Sequence, residues 1–198
     1  ILTMLCGIAL IGSVYLCVNG LQFWSVAVFV LLLCARMISA IYSKQKSPLN
    51  TLAHSIASLF YIAFPLALLN WIYAVSPYLV LAIFVMIWLN DTGAFIVGSS
   101  IGRHKMFPRI SPKKSWEGLA GGFAVCIGLS VVVFAYYPQY FELFNTATFI
   151  VLSMITAIFA TWGDLLESLI KRTAGVKDSG TLLPGHGGIM DRIDSLLL

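Results

Sequence analysis

The sequence predicts an all-α fold, a polytopic helical integral membrane protein. Three observations carry that expectation. Of the 198 residues, 60% are hydrophobic and only 10% charged, where a soluble domain carries about 25% charge. The mean hydropathy is +0.94. Apolar segments of near-spanning length run almost from end to end, and one span needs roughly 20 apolar residues. A single transmembrane domain over residues 1–198 is expected, with no separate soluble domain.

The apolar segments place spans at 1–18, 22–42, 51–74, 77–98, 112–137 and 147–171, with a seventh helix opening near Ile189. The basic residues sort by connection. Lys44 and Lys46 follow the second span; Arg103, Lys105, Arg109, Lys113 and Lys114 lie between the fourth and fifth; Lys171, Arg172 and Lys177 follow the sixth. The alternate connections, near Asn19, near Ser76 and across Pro138–Thr146, hold no Lys or Arg. The positive-inside rule therefore puts the three basic connections in the cytoplasm, where Arg36 and Arg192 can snorkel. A net charge of +4 needs no nucleic-acid partner and favours anionic lipid or phosphate on that side. Cys6, Cys17, Cys34 and Cys126 lie in apolar segments without metal-ligand spacing and read as packing residues. Ile1 opens directly in an apolar run without a basic n-region, so no signal peptide is read in this sequence. The chain is expected to be truncated at both ends, because Ile1 opens inside a span and Leu198 follows closely on the start of a helix.

Charge is costly in a bilayer, so an intramembrane ionisable residue is by default functional. Asp91 lies roughly 12 Å below the basic connection that follows it, Asp164 roughly 10 Å below its own, and Asp191 and Asp194 roughly 4–9 Å into the last helix, from the rise of 1.5 Å per residue. Four carboxylates on three helices are thus expected in one shallow layer. Asp191 alone could merely complement a helix dipole. Asp194, three residues on, shares its face in a helix, and two like charges there call for a cation. Asp164 and Glu167 repeat that spacing. Asp91 could instead hydrogen-bond structurally with Asn90. Oxygen ligands with no His/Cys set suit Mg2+ rather than zinc, and His186 reads as a hydrogen-bonder.

Anion-binding features are expected in the same layer. Ser111 is expected to cap a helix with Pro112 at its first position, leaving Lys113 and Lys114 beside free backbone N–H groups that suit phosphate. Gly185, Gly187 and Gly188 precede the last helix and allow close backbone approach to an anion, without the G-K-[ST] of a Walker loop. No Ser/His/Asp triad spacing occurs. These residues read together as metal-assisted phosphoryl or nucleotidyl transfer at a membrane interface.

The segment from Ser168 to Asp194, SLIKRTAGVKDSGTLLPGHGGIMDRID, resembles the signature of the CDP-diacylglycerol synthase (phosphatidate cytidylyltransferase) family. The pattern runs S-x-apolar-K-R, four residues, K-D-x-G, then apolar-P-x-H-G-G-apolar-x-D-R-apolar-D. It is met without departure at Ser168, Ile170, Lys171, Arg172, Lys177, Asp178, Gly180, Leu183, Pro184, His186, Gly187, Gly188, Ile189, Asp191, Arg192, Ile193 and Asp194. NDTGAFIVGSSIGRHK from Asn90 and SPKKSWEG from Ser111 also look like family blocks. Resemblance extends from about Trp88 to the end, with the signature region at 164–194. Family members usually have further N-terminal spans and a longer last helix.

The resemblance implies transfer of CMP from CTP to phosphatidic acid, giving CDP-diacylglycerol and pyrophosphate with Mg2+ as cofactor. It implies metal binding by Asp164, Asp191 and Asp194, and the residues read above put substrate binding around Asp91, Lys113, Lys114, Gly187 and Gly188. Lys171, Arg172, Lys177, Asp178, His186 and Arg192 are the expected catalytic set. A homodimer is also implied. The expected location is the bacterial inner (cytoplasmic) membrane, the site facing the cytoplasm. A polyprenol or dolichol kinase-like enzyme would share these carboxylates and cations. An ion-coupled transporter is the other alternative, but it tends to show paired broken helices in related halves, and the front half here offers no matching polar set.

Overall fold

The computed structural model describes residues 1–20, 24–44, 46–176, 179–180, 188 and 190–197, and of Asp191 and Arg192 only the backbone. α1 (Leu2–Val18), α2 (Trp24–Ile41), α3 (Pro48–Ser58), a π-helical turn (Leu59–Ala63) and α4 (Phe64–Val75) build one compact unit, Ile1–Pro77. The second unit, Tyr78–Leu198, contains α5 (Pro77–Ile101, with its first residue at the boundary), β1 (Lys105–Phe107), β2 (Ser111–Ser115), α6 (Trp116–Tyr136), a 3-10 turn (Pro138–Tyr140), α7 (Thr146–Thr173), α8 (Met190–Ile193) and a final 3-10 turn (Asp194–Leu196). Among the described residues, α2, the continuous Pro48–Val75 stretch, α5, α6 and α7 are each long and apolar enough to cross a membrane, and α1 is a shorter apolar helix. The protein is thus a polytopic helical membrane protein.

In the first unit α1 packs against α2 and α4, around Cys6, Leu59 and Ala63. The Pro48–Val75 stretch stays helical through Pro65 because of the π turn just before it. Proline has no N–H and its ring crowds the carbonyl four residues back. The wider ladder, in which the Phe64 amide bonds to the Leu59 carbonyl, absorbs both effects.

In the second unit glycines set the helix spacing. A Cβ on Gly118 would lie 2.8 Å from the Ala94 carbonyl oxygen, and one on Gly93 would lie 3.1 Å from that of Gly121. α5 and α6 therefore pack backbone to backbone, the small-residue contact by which helices associate where lipid removes the hydrophobic drive. Gly122 makes room for Asn90, which is fully buried and donates from Nδ2 to Thr161 Oγ1 of α7 at 3.3 Å. Below this polar link, Met86, Cys126, Phe141, Phe149 and Ala157 form an apolar core.

Two expectations of local structure are corrected. The fifth span does not start at residue 112. Residues 111–115 form β2, paired antiparallel with β1, and Ser115 rather than Ser111 caps α6, its Oγ accepting from the Gly118 amide at 3.1 Å. Pro112 starts no helix; it sits in a short hairpin strand, a place that tolerates its missing donor. Nor does the last segment continue as one α-helix through Asp194. One α-turn is followed by a 3-10 turn, and the Asp194 carboxylate accepts from the Ser195 amide at 2.7 Å. Such local side-chain bonds compete with the helical ladder.

The close packing predicts a contrast within one helix. Gly122→Ala puts a methyl group onto the Asn90 side chain and 2.9 Å from its carbonyl oxygen, and is expected to destabilise by about 1–3 kcal/mol. Gly128→Ala has open space around its Cβ and is expected to be neutral or to stabilise by up to about 1 kcal/mol. Thermal unfolding of both variants in detergent checks this, and equal shifts would exclude the packing account.

Candidate metal and phosphate site

The site is built on α7. Asp164, Glu167, Ser168 and Lys171 follow at spacings of three and four, so they share one face of the helix. Lys171 and Arg172 occupy its last turn, where positive charge complements the helix dipole. Glu167 is buried, at 2% exposure, and its Oε2 lies 2.5 Å from Lys171 Nζ. A carboxylate so enclosed costs several kcal/mol unless it is paired, and Lys171 supplies that compensation. Ser168 Oγ lies 3.4 Å from Asp164 Oδ1.

The hairpin delivers the second cation. Successive strand residues point to opposite faces, and in β2 it is Lys114 that reaches α7. Its Nζ lies 2.7 Å from Asp164 Oδ2 and donates to the Thr161 carbonyl at 3.2 Å. Lys113 is exposed. The hairpin is held at both ends. Phe107 packs edge-on against Trp162 of α7 with centroids 5.7 Å apart. Glu117, in the first turn of α6, accepts from the His104 amide at 3.2 Å and meets its Nδ1 at 2.5 Å.

The final 3-10 turn packs on α7 and brings Asp194 to the same place. Carboxylate oxygens of Asp164, Glu167 and Asp194 all lie within 4.8 Å of one another, a cluster that could hold a divalent cation. The donors are oxygens only, which fits a hard cation. Ser195 bridges onward, its Oγ 3.3 Å from Asp194 Oδ1 and 3.4 Å from Asp91 Oδ2. Beside the cluster is a cavity of about 320 Å3, whose lining includes Asp91, Lys113, Lys114, Ser115, Thr161 and Asp164.

Asp91, Lys113, Lys114 and Asp164 therefore surround one cavity. Asp194 joins Asp164 in the acidic cluster, and Lys171 pairs within it. Arg172 is exposed at the end of α7 and has no described contact to the cluster. Gly188 is buried against Ser179 and Gly180, where a Cβ would lie 2.9 Å from the Gly180 amide nitrogen. Lys177, Asp178, His186, Gly187 and the side chains of Asp191 and Arg192 lie outside the described residues. The alternative in which Asp91 bonds with Asn90 is not what is found: Asn90 turns inward to Thr161 while Asp91 faces the cavity. Glu167 was not among the expected ligands, although its spacing from Asp164 was the available signal. Ser195 gave none, because its role depends on the 3-10 turn.

The sequence profile of the cytidylyltransferase family matches residues 1–198. A phosphatidate cytidylyltransferase of Haemophilus influenzae is 37% identical over 188 residues, covering 91% of this chain and 64% of that protein. One of Staphylococcus saprophyticus is 36% identical over 182 residues, covering 91% of this chain and 67% of that protein. One of Staphylococcus haemolyticus is 46% identical over 118 residues, covering 60% of this chain and 44% of that protein. The chain thus spans about two thirds or less of the length of these relatives. Neither a lipid kinase nor a transporter occurs among them. A match along the whole chain, and relatives that share it across both units, place this protein in the cytidylyltransferase family.

Proposed function

We propose that the protein is a phosphatidate cytidylyltransferase, transferring CMP from CTP to phosphatidic acid to yield CDP-diacylglycerol and pyrophosphate. The observation that carries this reading is the meeting of Asp164, Glu167 and Asp194 within 4.8 Å, edged by Lys114 and Lys171 and opening on a cavity of about 320 Å3. The names of the relatives supply the substrates.

In this reaction an oxygen of the lipid phosphate attacks the α-phosphorus of CTP. A P–O bond forms there as the bond to the β-phosphate bridging oxygen breaks, and pyrophosphate leaves with that electron pair. A lipid phosphate is already ionised at neutral pH, so no strong general base is required, in keeping with a site of carboxylates and cations. Asp164, Glu167 and Asp194, with Asp191 as the fourth acid of the set, would hold Mg2+, which supplies charge neutralisation to the nucleotide phosphates. Lys114 and Lys171 keep the carboxylates oriented and present ammonium groups to phosphate oxygens. Lys113 adds charge at the cavity wall. Arg172, Lys177 and Arg192 are proposed as further phosphate contacts. Asp178 and His186 would orient the loop or the cytidine, and Gly187 and Gly188 would admit close backbone approach. The proposed setting is a bacterial cytoplasmic membrane with the cavity open to the cytoplasm, where lipid tails stay in the bilayer while CTP enters from water.

Labelled CTP and phosphatidic acid supplied to the full-length protein in detergent are expected to give CDP-lipid and pyrophosphate with Mg2+ present. Asp164→Asn and Asp194→Asn are each expected to lower that turnover on the order of 10²-fold or more while the protein stays folded. Wild-type turnover in both would refute the site. Glu167→Gln is expected to raise the Mg2+ concentration for half-maximal turnover by about 10–100-fold, the usual cost of a lost metal-site partner. An unchanged Mg2+ titration in that variant would confine Glu167 to its pairing with Lys171.

A further inference from the structure

The first unit buries a charge that the transfer reaction does not use. Arg36, on α2, is 8% exposed. Residues 1–77 contain no Asp or Glu at all, and no carboxylate among the described residues lies within ion-pair distance of the guanidinium. Its partners are neutral. Nε donates to Thr3 Oγ1 at 3.2 Å and Ser55 Oγ at 3.1 Å, Nη1 to Ser39 Oγ at 3.2 Å, and Nη2 to Ser55 Oγ at 2.7 Å and the Thr51 carbonyl at 3.2 Å. The hydroxyl protons are already directed elsewhere, Thr3 to Ser55, Ser55 to the Thr51 carbonyl and Ser39 to the Arg36 carbonyl. Only lone pairs therefore face the arginine, which is solvated by dipoles but keeps its full charge. A guanidinium has five N–H donors, and the second hydrogen of Nη1 has no acceptor among the described residues.

The surroundings add to the positive field. Thr51, whose carbonyl accepts from Arg36, lies in the first turn of α3, and no side chain caps the N-terminus of that helix, so the positive end of its dipole is close to the guanidinium. Lys44 and Lys46 sit in the connection between α2 and α3. An isolated cation in a low-dielectric setting costs several kcal/mol unless an opposite charge joins it. In a membrane the abundant anion at this level is a lipid phosphate, and arginine is the side chain suited to it.

We propose that Arg36, with the first turn of α3 and the exposed Lys44 and Lys46, forms a binding site for the headgroup phosphate of an anionic membrane phospholipid. The site lies wholly in the first unit and does not depend on the transferase reading.

Phosphatidylglycerol is the probe, because phosphatidic acid would also enter the proposed transfer site. Native mass spectrometry of the purified full chain is expected to retain phosphatidylglycerol in preference to phosphatidylcholine, and added phosphatidylglycerol is expected to raise the thermal midpoint. Arg36→Gln is expected to weaken retention by about fivefold or more, the effect of one basic charge near a membrane surface, and more than Lys44→Gln does. Arg36→Lys keeps the charge and is expected to fall between wild type and Arg36→Gln. If Arg36→Gln fails to fold, the wild-type lipid comparison and Arg36→Lys decide the matter. Equal retention of the two lipids by wild type, or equal losses in Arg36→Gln and Lys44→Gln, would overturn the proposal, the latter by reducing it to diffuse surface attraction. A midpoint shift reproduced by inorganic phosphate alone would assign the anion to solution and overturn the lipid.

Discussion

The ion pair between Lys114 and Asp164 is the contact on which the site depends. It joins two elements that share no ladder, the β hairpin and α7, at 2.7 Å, and the same ammonium group reaches the Thr161 carbonyl one turn away. Thr161 in turn receives the Asn90 amide from α5. This lysine therefore joins the Phe107–Trp162 ring contact in anchoring the hairpin to α7, at the level where α5 is also attached. Half-buried charges in this setting gain more from pairing than exposed surface pairs do, because solvent screens them less. The cost of the alternative, a carboxylate facing lipid alone, fixes the geometry as firmly as the attraction does.

That arrangement requires the helices to be close. Close contact between α5 and α6 at Gly93, Gly118 and Gly121, where backbone meets backbone and the Val97 and Val125 side chains fill the remaining space, sets the position of Asn90 and Asp91 on α5. The two neighbours are adjacent in sequence and point in different directions, Asn90 into the packed interior and Asp91 to the cavity. One residue holds the bundle while the next lines the site, so local helix packing and site geometry are not separable here.

The spans were legible because lipid imposes a simple rule: a length of apolar chain with its backbone bonded internally. Helical rise alone put Asp91, Asp164, Asp191 and Asp194 in one expected layer; Asp91 and Asp164 line one cavity and Asp164 and Asp194 share one cluster, while the Asp191 side chain lies outside the described residues. What was less legible depended on local competition. Ser111 and Ser115 are both plausible caps before a helix, and choosing between them requires knowing that residues 105–107 return to pair with 111–115. The 3-10 turn at Asp194 rests on a side-chain bond to the next amide, which no periodicity records. Glu167 was visible by spacing, but its burial against Lys171 is a tertiary fact. The buried setting of Arg36 was likewise hidden, since a snorkelling arginine and an enclosed one look alike in sequence.

Charge balance ties the acidic layer to its proposed chemistry. Asp91, Asp164, Glu167 and Asp194 bring four formal negative charges to the layer, and Lys114 and Lys171 return two positive charges through their ion pairs. Among the described side chains the remainder is two negative charges, an excess that favours a divalent cation, and the proposed fourth acid, Asp191, would add to it. A site balanced by lysines alone would bind phosphate without needing a metal, and a site of carboxylates alone would repel the nucleotide. The intermediate composition does neither: the excess acid favours the cation, and the paired lysines remain within reach of the anion that the cation brings with it. The same reasoning separates the two ends of the sequence. Residues 1–77 have cations and no acid, a composition that can attract a phosphate but cannot hold a divalent metal through carboxylates, whereas the acidic cluster that could hold one is built on α7 and the final turn.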